Sequence, residues 1–396
     1  MELLTQIIDN QPEGFSLQQV FYRDTDIYRR ELDRLFLRSW LYAGHLSQIP
    51  QVGDYFLYEL ADESVIIIRS GEDTVEALLN LCRHRGSRIC QEANGRQKLL
   101  VCPYHGWTYQ LDGSLRGANY TLPGFEKSDY TLGKVRLEVL HGMIFINFAE
   151  RPASFEPVLR DLDECLRPYK LEQAKVAHRQ SYPIRANWKL AVENYCECYH
   201  CTPAHPEYAE SHGRSLPDEE VAGLLQRVIA KGKKMGLNGL CIDRSWLDAG
   251  AVGTDRSFDR YPLFDGFVTG SRHGKPVAPL LGDIRGYDGG ATDIQVGPFT
   301  FCLAYCDHVV IYHFRPLSVA ESACDITWLV NEAAEEGKDY DRDDLTWLWD
   351  ITTIADKRII ENNQKGINST FYRPGPYTGM ESFTRSFIDW YLQVMK

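Results

Sequence analysis

The sequence predicts an α+β fold in which a small antiparallel β domain interrupts a larger mixed domain. Three observations carry this expectation. The 396 residues exceed what a single hydrophobic core normally organises. Residues 41–150 consist of short apolar or alternating runs divided by turn residues, the texture of antiparallel strands. On both sides of that segment, apolar residues recur at spacings of three and four, as amphipathic helices require.

In chain order, residues 17–40 read as helical, because Tyr28, Leu32, Leu35 and Phe36 share one face ahead of Trp40. Strands are expected at 55–58, 64–69, 75–81, 99–103, 108–111 and 143–147, with Asn94-Gly95 and Asp112-Gly113 as hairpin turns. Arg151-Pro152 and the acidic stretch behind it read as a linker. Residues 188–201 read as a helix that Pro203 breaks. The Gly-, Asp- and Arg-rich stretch 250–295 reads as a long loop. Strands follow at 299–305, 309–314 and 325–331, and a last helix at 341–367. The expected domains are 1–40, an N-terminal helical part of the larger domain, then 41–150, the β domain, and 151–396, the rest of the larger domain.

Composition narrows the function. At 44% hydrophobic and 25% charged residues, the chain is of ordinary globular type. No apolar run approaches the roughly 20 residues that span a bilayer, so no membrane role is expected. The formal charge of −12, from 55 acidic and 43 basic residues, disfavours nucleic-acid binding, which wants a basic face. The first residues carry Glu2, Asp9 and Glu13 without a basic segment, unlike a signal peptide, and a cytoplasmic setting is expected. In that setting, 11 cysteines do not form a disulfide framework; some are candidate metal ligands.

Two of them stand in Cys82-Arg83-His84 and Cys102-Pro103-Tyr104-His105-Gly106-Trp107. Each loop offers one thiolate and one imidazole. A Rieske 2Fe–2S cluster takes two Cys on one iron and two His on the other. A structural zinc site is the alternative, but zinc fingers pair Cys with Cys and His with His along the chain. Cys90, outside both loops, reads as a core thiol.

The second constellation lies in residues 187–205. Glu193, Glu197 and His200 follow spacings of four and three and so share a helix face, and His205 follows beyond Pro203. Two histidines with a carboxylate from elsewhere form the facial triad that leaves open positions on Fe(II). Cys196, Cys198 and Cys201 read as small packed side chains. For the carboxylate, Asp356 falls on an apolar stripe with Trp349, Thr352, Thr353, Ile359, Ile360 and Asn363, where an acid needs a partner. Asp350 and Glu361 lie off the stripe. The alternative is a buried Asp paired with Arg or Lys.

Together, in this order, the two motifs resemble the α subunit of Rieske non-haem iron oxygenases. Tyr104 stands where respiratory Rieske proteins carry an extra cysteine, and Trp107 where they carry a serine. The resemblance implies an antiparallel β Rieske domain inserted into a helix-grip catalytic domain, whose sheet wraps the helix at 341–367. It implies that Cys82 and Cys102 bind one cluster iron and His84 and His105 the other, and that His200, His205 and Asp356 hold a mononuclear Fe(II) with O2 as co-substrate. It also implies a homotrimer, in which Glu197 bridges His200 to the second cluster histidine, matching His105, of the neighbouring subunit. No Gly-x-Gly-x-x-Gly loop follows a strand, so a separate flavin- or ferredoxin-type, NAD(P)H-dependent reductase is expected to supply electrons. Many ring-hydroxylating members have Asp where this chain has Glu197. The Glu variant is similar to the branch acting on carnitine, glycine betaine, choline and proline betaine. The implied function is hydroxylation or oxidative N-demethylation of a small quaternary ammonium compound. Hydroxylation of an aromatic ring or acid is the alternative. A bare electron carrier is the remote one, since it would not need residues 151–396. For a cationic substrate the candidate contacts are Tyr195, Phe258, Phe264, Phe267, Phe299, Phe301 and Tyr305. For an aromatic acid they are Arg256, Arg260 and Arg272.

Overall fold

A computed structural model describes residues 2–212, 217–235, 237, 244–246, 252–264 and 266–396. The chain divides into two compact units, Leu41–Pro152 and the remainder, Met1–Trp40 with Ala153–Lys396.

The smaller unit holds three antiparallel sheets. Strands β2 (Asp54–Leu60), β3 (Glu63–Arg69), β4 (Val75–Leu79) and β5 (Asn94–Arg96) run in the order β4-β3-β2-β5. Strands β1 (Leu41–His45), β9 (Arg136–Leu140) and β10 (Met143–Asn147) form a second sheet, and β6 (Leu100–Val101), β7 (Thr108–Tyr109) and β8 (Leu115–Gly117) a third. The continuous run Val65, Ile66, Ile67 and Ile68 is fully buried, which makes β3 the centre of its sheet. Asp112-Gly113 does turn the chain between β7 and β8. Gly113 takes φ +86°, and Asp112 accepts from the Ser114 N–H at 2.9 Å. Asn94-Gly95 instead lies within β5, where Gly95 opposes Tyr55. A Cβ at Gly95 would sit 3.1 Å from the Tyr55 ring, so the glycine marks a close approach and not a turn.

In the larger unit, seven antiparallel strands form one sheet in the order β11-β17-β16-β15-β14-β13-β12. They are β11 (Ala174–Ile184), β12 (Arg244–Trp246), β13 (Arg256–Pro262), β14 (Gly290–Val296), β15 (Thr300–Ala304), β16 (Val309–Ser318) and β17 (Glu321–Asn331). The helices are α1 (Glu2–Asp9), α2 (Val20–Arg23), α3 (Thr25–Arg34), α4 (Glu156–Leu166), α5 (Trp188–Tyr195), α6 (Cys201–Ala204), α7 (Pro206–Ser211), α8 (Asp218–Lys234), α9 (Arg342–Ile367) and α10 (Ser382–Met395). Asp341 caps α9 by accepting from the Asp344 N–H at 3.0 Å. The helix packs on β11 and α5, and its Thr353 meets the Tyr312 hydroxyl of β16 at 3.4 Å.

Several expectations change. The helical reading of 17–40 divides at Asp24, whose side chain caps α3 through the Asp26 and Ile27 N–H groups. The expected linker after Pro152 carries α4, because Val158, Leu162, Cys165 and Leu166 bury one face. The expected loop 250–295, of which 250, 251 and 265 lie outside the described residues, contains β13 and most of β14. Two of its arginines, which suggest solvent, are buried against aspartates: Arg256 pairs with Asp161, and Arg260 with Asp288. Among the described residues no helix is long and apolar enough to cross a membrane.

Candidate metal centres

In the smaller unit, Cys82 and Cys102 open two loops of the same build. Each cysteine N–H donates to the carbonyl five residues on, Ser87 at 2.9 Å and Trp107 at 2.8 Å. The glycine four residues on, Gly86 or Gly106, donates back to the cysteine carbonyl at 2.9 or 3.0 Å. Both glycines take positive φ, +81° and +72°, which is the conformational reason for glycine there. Both cysteine side chains are buried, while His84 and His105 stand exposed with ring centroids 4.6 Å apart. Trp107 stacks on His84 at 4.8 Å, and Tyr104 on His105 at 4.0 Å. The Tyr109 hydroxyl accepts from the Arg83 N–H at 3.1 Å, which leaves its proton for the Cys82 Sγ at 3.3 Å. Burial pushes the Cys82 thiol up, so a thiolate there needs a cation beside it. Two buried sulfurs facing two adjacent imidazoles fit a Rieske cluster. Cys90 is a core thiol, pushed up to about 11 by burial, and Asn80 holds its backbone N–H and carbonyl.

In the larger unit, α5 ends at Tyr195, and Glu197 and His200 lie in the turn before α6. The shared helix face expected for Glu193, Glu197 and His200 is therefore absent. The Glu197 carboxylate accepts the Tyr199 and His200 N–H groups, which opposes continuation of the helix. Its other oxygen lies 2.6 Å from His200 Nδ1. Glu193 points elsewhere: it accepts from the Tyr22 hydroxyl at 2.9 Å, and burial pushes it up to about 7. Pro203 does not end the helical segment, which runs through it as α6 and stops at His205.

Asp356 reaches this turn from α9. Its Oδ1 lies 3.2 Å from His200 Nε2 and 2.9 Å from His205 Nε2. His205 Nε2 and Asp356 Oδ1 are buried without a hydrogen-bond partner. Burial disfavours charge on His200, but the Asp356 and Glu197 carboxylates outweigh it and push the imidazole up to about 9. Burial likewise opposes ionisation of Asp356, and the two imidazoles outweigh it, holding the carboxyl below its usual range. The three side chains thus converge on one point where positive charge is favoured. That arrangement fits a 2-His-1-carboxylate metal site. Of the other acids weighed for this place, Asp350 accepts from the Tyr182 hydroxyl at 2.7 Å, and Glu361 pairs with Arg185 and Lys357.

A cavity of about 580 Å³ opens over this point. Tyr195, Phe258 and Phe301 line it, as do Trp349, named before only on the apolar stripe of Asp356, and Tyr208 and Tyr312, which the sequence reading did not single out. Phe264, Phe267, Phe299 and Tyr305 do not line it. Phe299 stacks on Phe36 at 4.1 Å in the core, and Tyr305 bonds His212 at 2.6 Å. Arg256 and Arg260 are held by aspartates, and Arg272 lies over Trp347 at 4.4 Å. Asn194 also lines the cavity, with Nδ2 3.3 Å from His200 Nε2. Trp349, Thr352 and Asp356 occupy one face of α9 and all meet the cavity, so the apolar stripe of that helix was the available signal for Trp349. A further correction concerns Cys198 and Cys201, read as packed side chains, which form a disulfide across His200.

Residues 39–126 match the Rieske [2Fe-2S] domain, and residues 171–396 match the ring hydroxylating alpha subunit (catalytic domain). The glycine betaine monooxygenase oxygenase subunit of Pseudomonas aeruginosa is 34% identical, over 98% of this chain and 91% of that protein. The carnitine monooxygenase oxygenase subunit of Escherichia coli is 33% identical, over 92% and 87%. A quaternary ammonium Rieske monooxygenase, solved to address carnitine oxidation and inter-subunit electron transfer, shares the fold with a TM-score of 0.73 at 23% identity, covering 99% of this chain and 98% of that one.

Proposed function

The chain belongs to the ring-hydroxylating alpha-subunit family of Rieske oxygenases, and on that premise we propose that its substrate is a small quaternary ammonium compound. The protein is an O2-dependent oxidoreductase with a Rieske cluster and a mononuclear non-haem iron. When bound, the two groups supply electron storage and reductive activation of O2. Cys82, Cys102, His84 and His105 hold the first, and His200, His205 and Asp356 the second. Glu197 orients the His200 ring through Nδ1 and is the carboxylate that links the two centres between subunits of a homotrimer. A separate reductase supplies electrons, and the protein acts in the cytoplasm.

The observation that carries the substrate reading is the cavity wall. Tyr195 and Phe301 stack at 4.2 Å, Tyr312 lies 5.3 Å from Tyr195, and Asp293 opens on the same space. Aromatic faces beside a carboxylate attract a trimethylammonium group. None of the three candidate arginines lines the cavity, which removes the expected anchor of an aromatic acid. The two relatives above act, by name, on glycine betaine and carnitine. Substrate-dependent O2 uptake with a matched reductase tests the reading. Uptake with trimethylammonium compounds, yielding a hydroxylated product or formaldehyde from N-demethylation, is expected. Uptake confined to benzoates would overturn it.

A further inference from the structure

Behind the cavity wall lies a hydrogen-bonded tyrosine–histidine pair that neither the metal site nor the substrate pocket uses. Tyr305 is fully buried and does not line the cavity, and its hydroxyl lies 2.6 Å from Nε2 of His212, which is also buried. The direction of that bond follows from the other ring nitrogen. The Ser211 hydroxyl donates to the Tyr208 carbonyl at 3.0 Å, so its oxygen accepts from His212 Nδ1 at 2.7 Å. The same nitrogen lies 3.2 Å from the Tyr208 carbonyl, which can only accept. Hydrogen therefore sits on Nδ1, and Nε2 is the base that receives the Tyr305 O–H. Aromatic rings connect this pair to the metal site. Between ring centroids, Tyr208 lies 5.7 Å from His205 and 6.2 Å from Trp349, and Trp349 lies 5.7 Å from Tyr305. Tyr208 and Trp349 line the cavity, so Tyr305 stands one ring behind its surface.

We propose that Tyr305 is an electron donor that quenches oxidising equivalents left at the mononuclear centre when no substrate receives them. One electron leaves the Tyr305 ring and passes through Trp349 to the oxidised centre, which is thereby reduced by one electron. The Tyr305 O–H bond breaks, the proton passes to His212 Nε2, and a neutral tyrosyl radical facing an imidazolium remains. An oxidised phenol is a strong acid, so a base within hydrogen-bond reach decides which ring keeps the hole. Trp349 lacks one: its Nε1–H is buried without a hydrogen-bond partner, so this ring relays the electron and does not hold the hole. A small thiol returns the electron as it is oxidised towards its disulfide, and the proton returns from His212. The oxidant is the one that the O2-dependent activity itself generates. The inference rests on the assignment of His200, His205 and Asp356 as the iron site.

The test uses the full chain with its cluster oxidised, and so silent in EPR, and its mononuclear iron ferrous. Hydrogen peroxide is added without substrate, and samples are frozen at intervals for EPR. The wild type should give a tyrosyl radical whose signal narrows when the protein carries ring-deuterated tyrosine. Its coupling to the exchangeable proton held by His212 should vanish in D2O. Tyr305→Phe should lower the radical yield roughly tenfold, and His212→Gln, which removes the base, should slow radical formation by a similar factor. In Tyr305→Phe, peptide mass spectrometry should find oxidation moved to Tyr208, Trp349 and His205. Iron content and circular dichroism show whether each variant keeps its fold and site; where one does not, the wild-type coupling in D2O decides. A wild-type radical yield in iron-loaded Tyr305→Phe, or a wild-type radical without the exchangeable coupling, overturns the proposal and leaves the three-residue iron site standing. So does peroxide consumed with no protein radical, or an equal radical after the mononuclear iron is removed by chelation. Mononuclear iron absent from the wild type overturns the site assignment and the proposal with it.

Discussion

Glu197 commits both carboxylate oxygens to one turn. One accepts two backbone N–H groups and the other meets His200 Nδ1 at 2.6 Å. Glu197→Gln keeps the size but removes the charge and turns one oxygen into a donor facing donors. Oxidation of the reduced cluster on adding substrate and O2, followed by stopped-flow absorbance, should slow at least tenfold while both centres stay loaded. Wild-type cluster oxidation in a fully metallated variant would refute the bridging role, and loss of mononuclear iron would reduce Glu197 to an orienting residue. Asp356→Ala removes the carboxylate on which both imidazoles converge. Iron per chain should fall from about three to about two, with the Rieske spectrum intact. Iron analysis with EPR of the reduced cluster checks this. Side chains of this kind are legible in sequence when their chemistry is rare at its spacing. Two Cys-His loops are rare, and so is an acid on an apolar helix stripe. Tyr208 and Tyr312 are not legible, because an aromatic facing a cavity and one facing a core follow the same periodicity. Cys198 and Cys201 were missed because their partnership depends on the turn that Glu197 imposes, which local pattern does not show.

At the scale of elements, the turn proposed to bear the metal follows directly on α5 and depends on its anchoring. Glu31 of α3 accepts from Trp188 Nε1 at 2.8 Å and Lys189 Nζ at 2.6 Å in α5, and from the Tyr391 hydroxyl at 2.5 Å in α10. Glu31 and Lys189 are fully buried. Burial pulls the Lys189 ammonium down and the Glu31 carboxylate pushes it back up, so the ion pair holds only as a pair. Glu31→Gln leaves an uncompensated ammonium and should lower stability by about 3–5 kcal/mol. Adding Lys189→Met should recover much of that loss, since the exchange replaces a charge pair with packed apolar volume. Denaturant midpoints followed by circular dichroism measure both. A single variant within about 0.5 kcal/mol of wild type would show that the pair does not hold the three helices together. These contacts explain what the sequence left unread. The strands and α9 were read from their patterns, whereas α10 was not, although Phe387, Ile388, Trp390 and Tyr391 bury one side of it, and its Tyr391 bonds Glu31, 360 positions away in the chain. Similarly, Arg256 and Arg260 look solvent-seeking until Asp161 and Asp288 are seen to neutralise them.

For the whole molecule, the charge of −12 implies that an acidic electron donor is repelled at long range. The surface beside the cluster histidines has the opposite sign. Arg83 and Arg85 flank His84 and are exposed, and the Arg85 guanidinium lies over Tyr104, 5.3 Å from its ring centroid. Repulsion from the global charge would make electron donation faster as salt rises. Attraction at the local patch would make it slower, because salt screens the attractive contact over a Debye length of about 10 Å at 0.1 M. For an acidic ferredoxin-type donor the patch governs the last part of the approach, where the orientation that permits electron transfer is set. The second-order rate of cluster reduction should therefore fall as salt rises from about 0.05 to about 0.5 M, against the sign of the net charge. Arg85→Glu should lower that rate at low salt at least tenfold and flatten or invert its salt dependence. The cluster potential, measured separately, should move too little to account for the change. A reduction rate that rises with salt in the wild type, or an Arg85→Glu protein with an unchanged salt slope, would mean that the donor approaches another face.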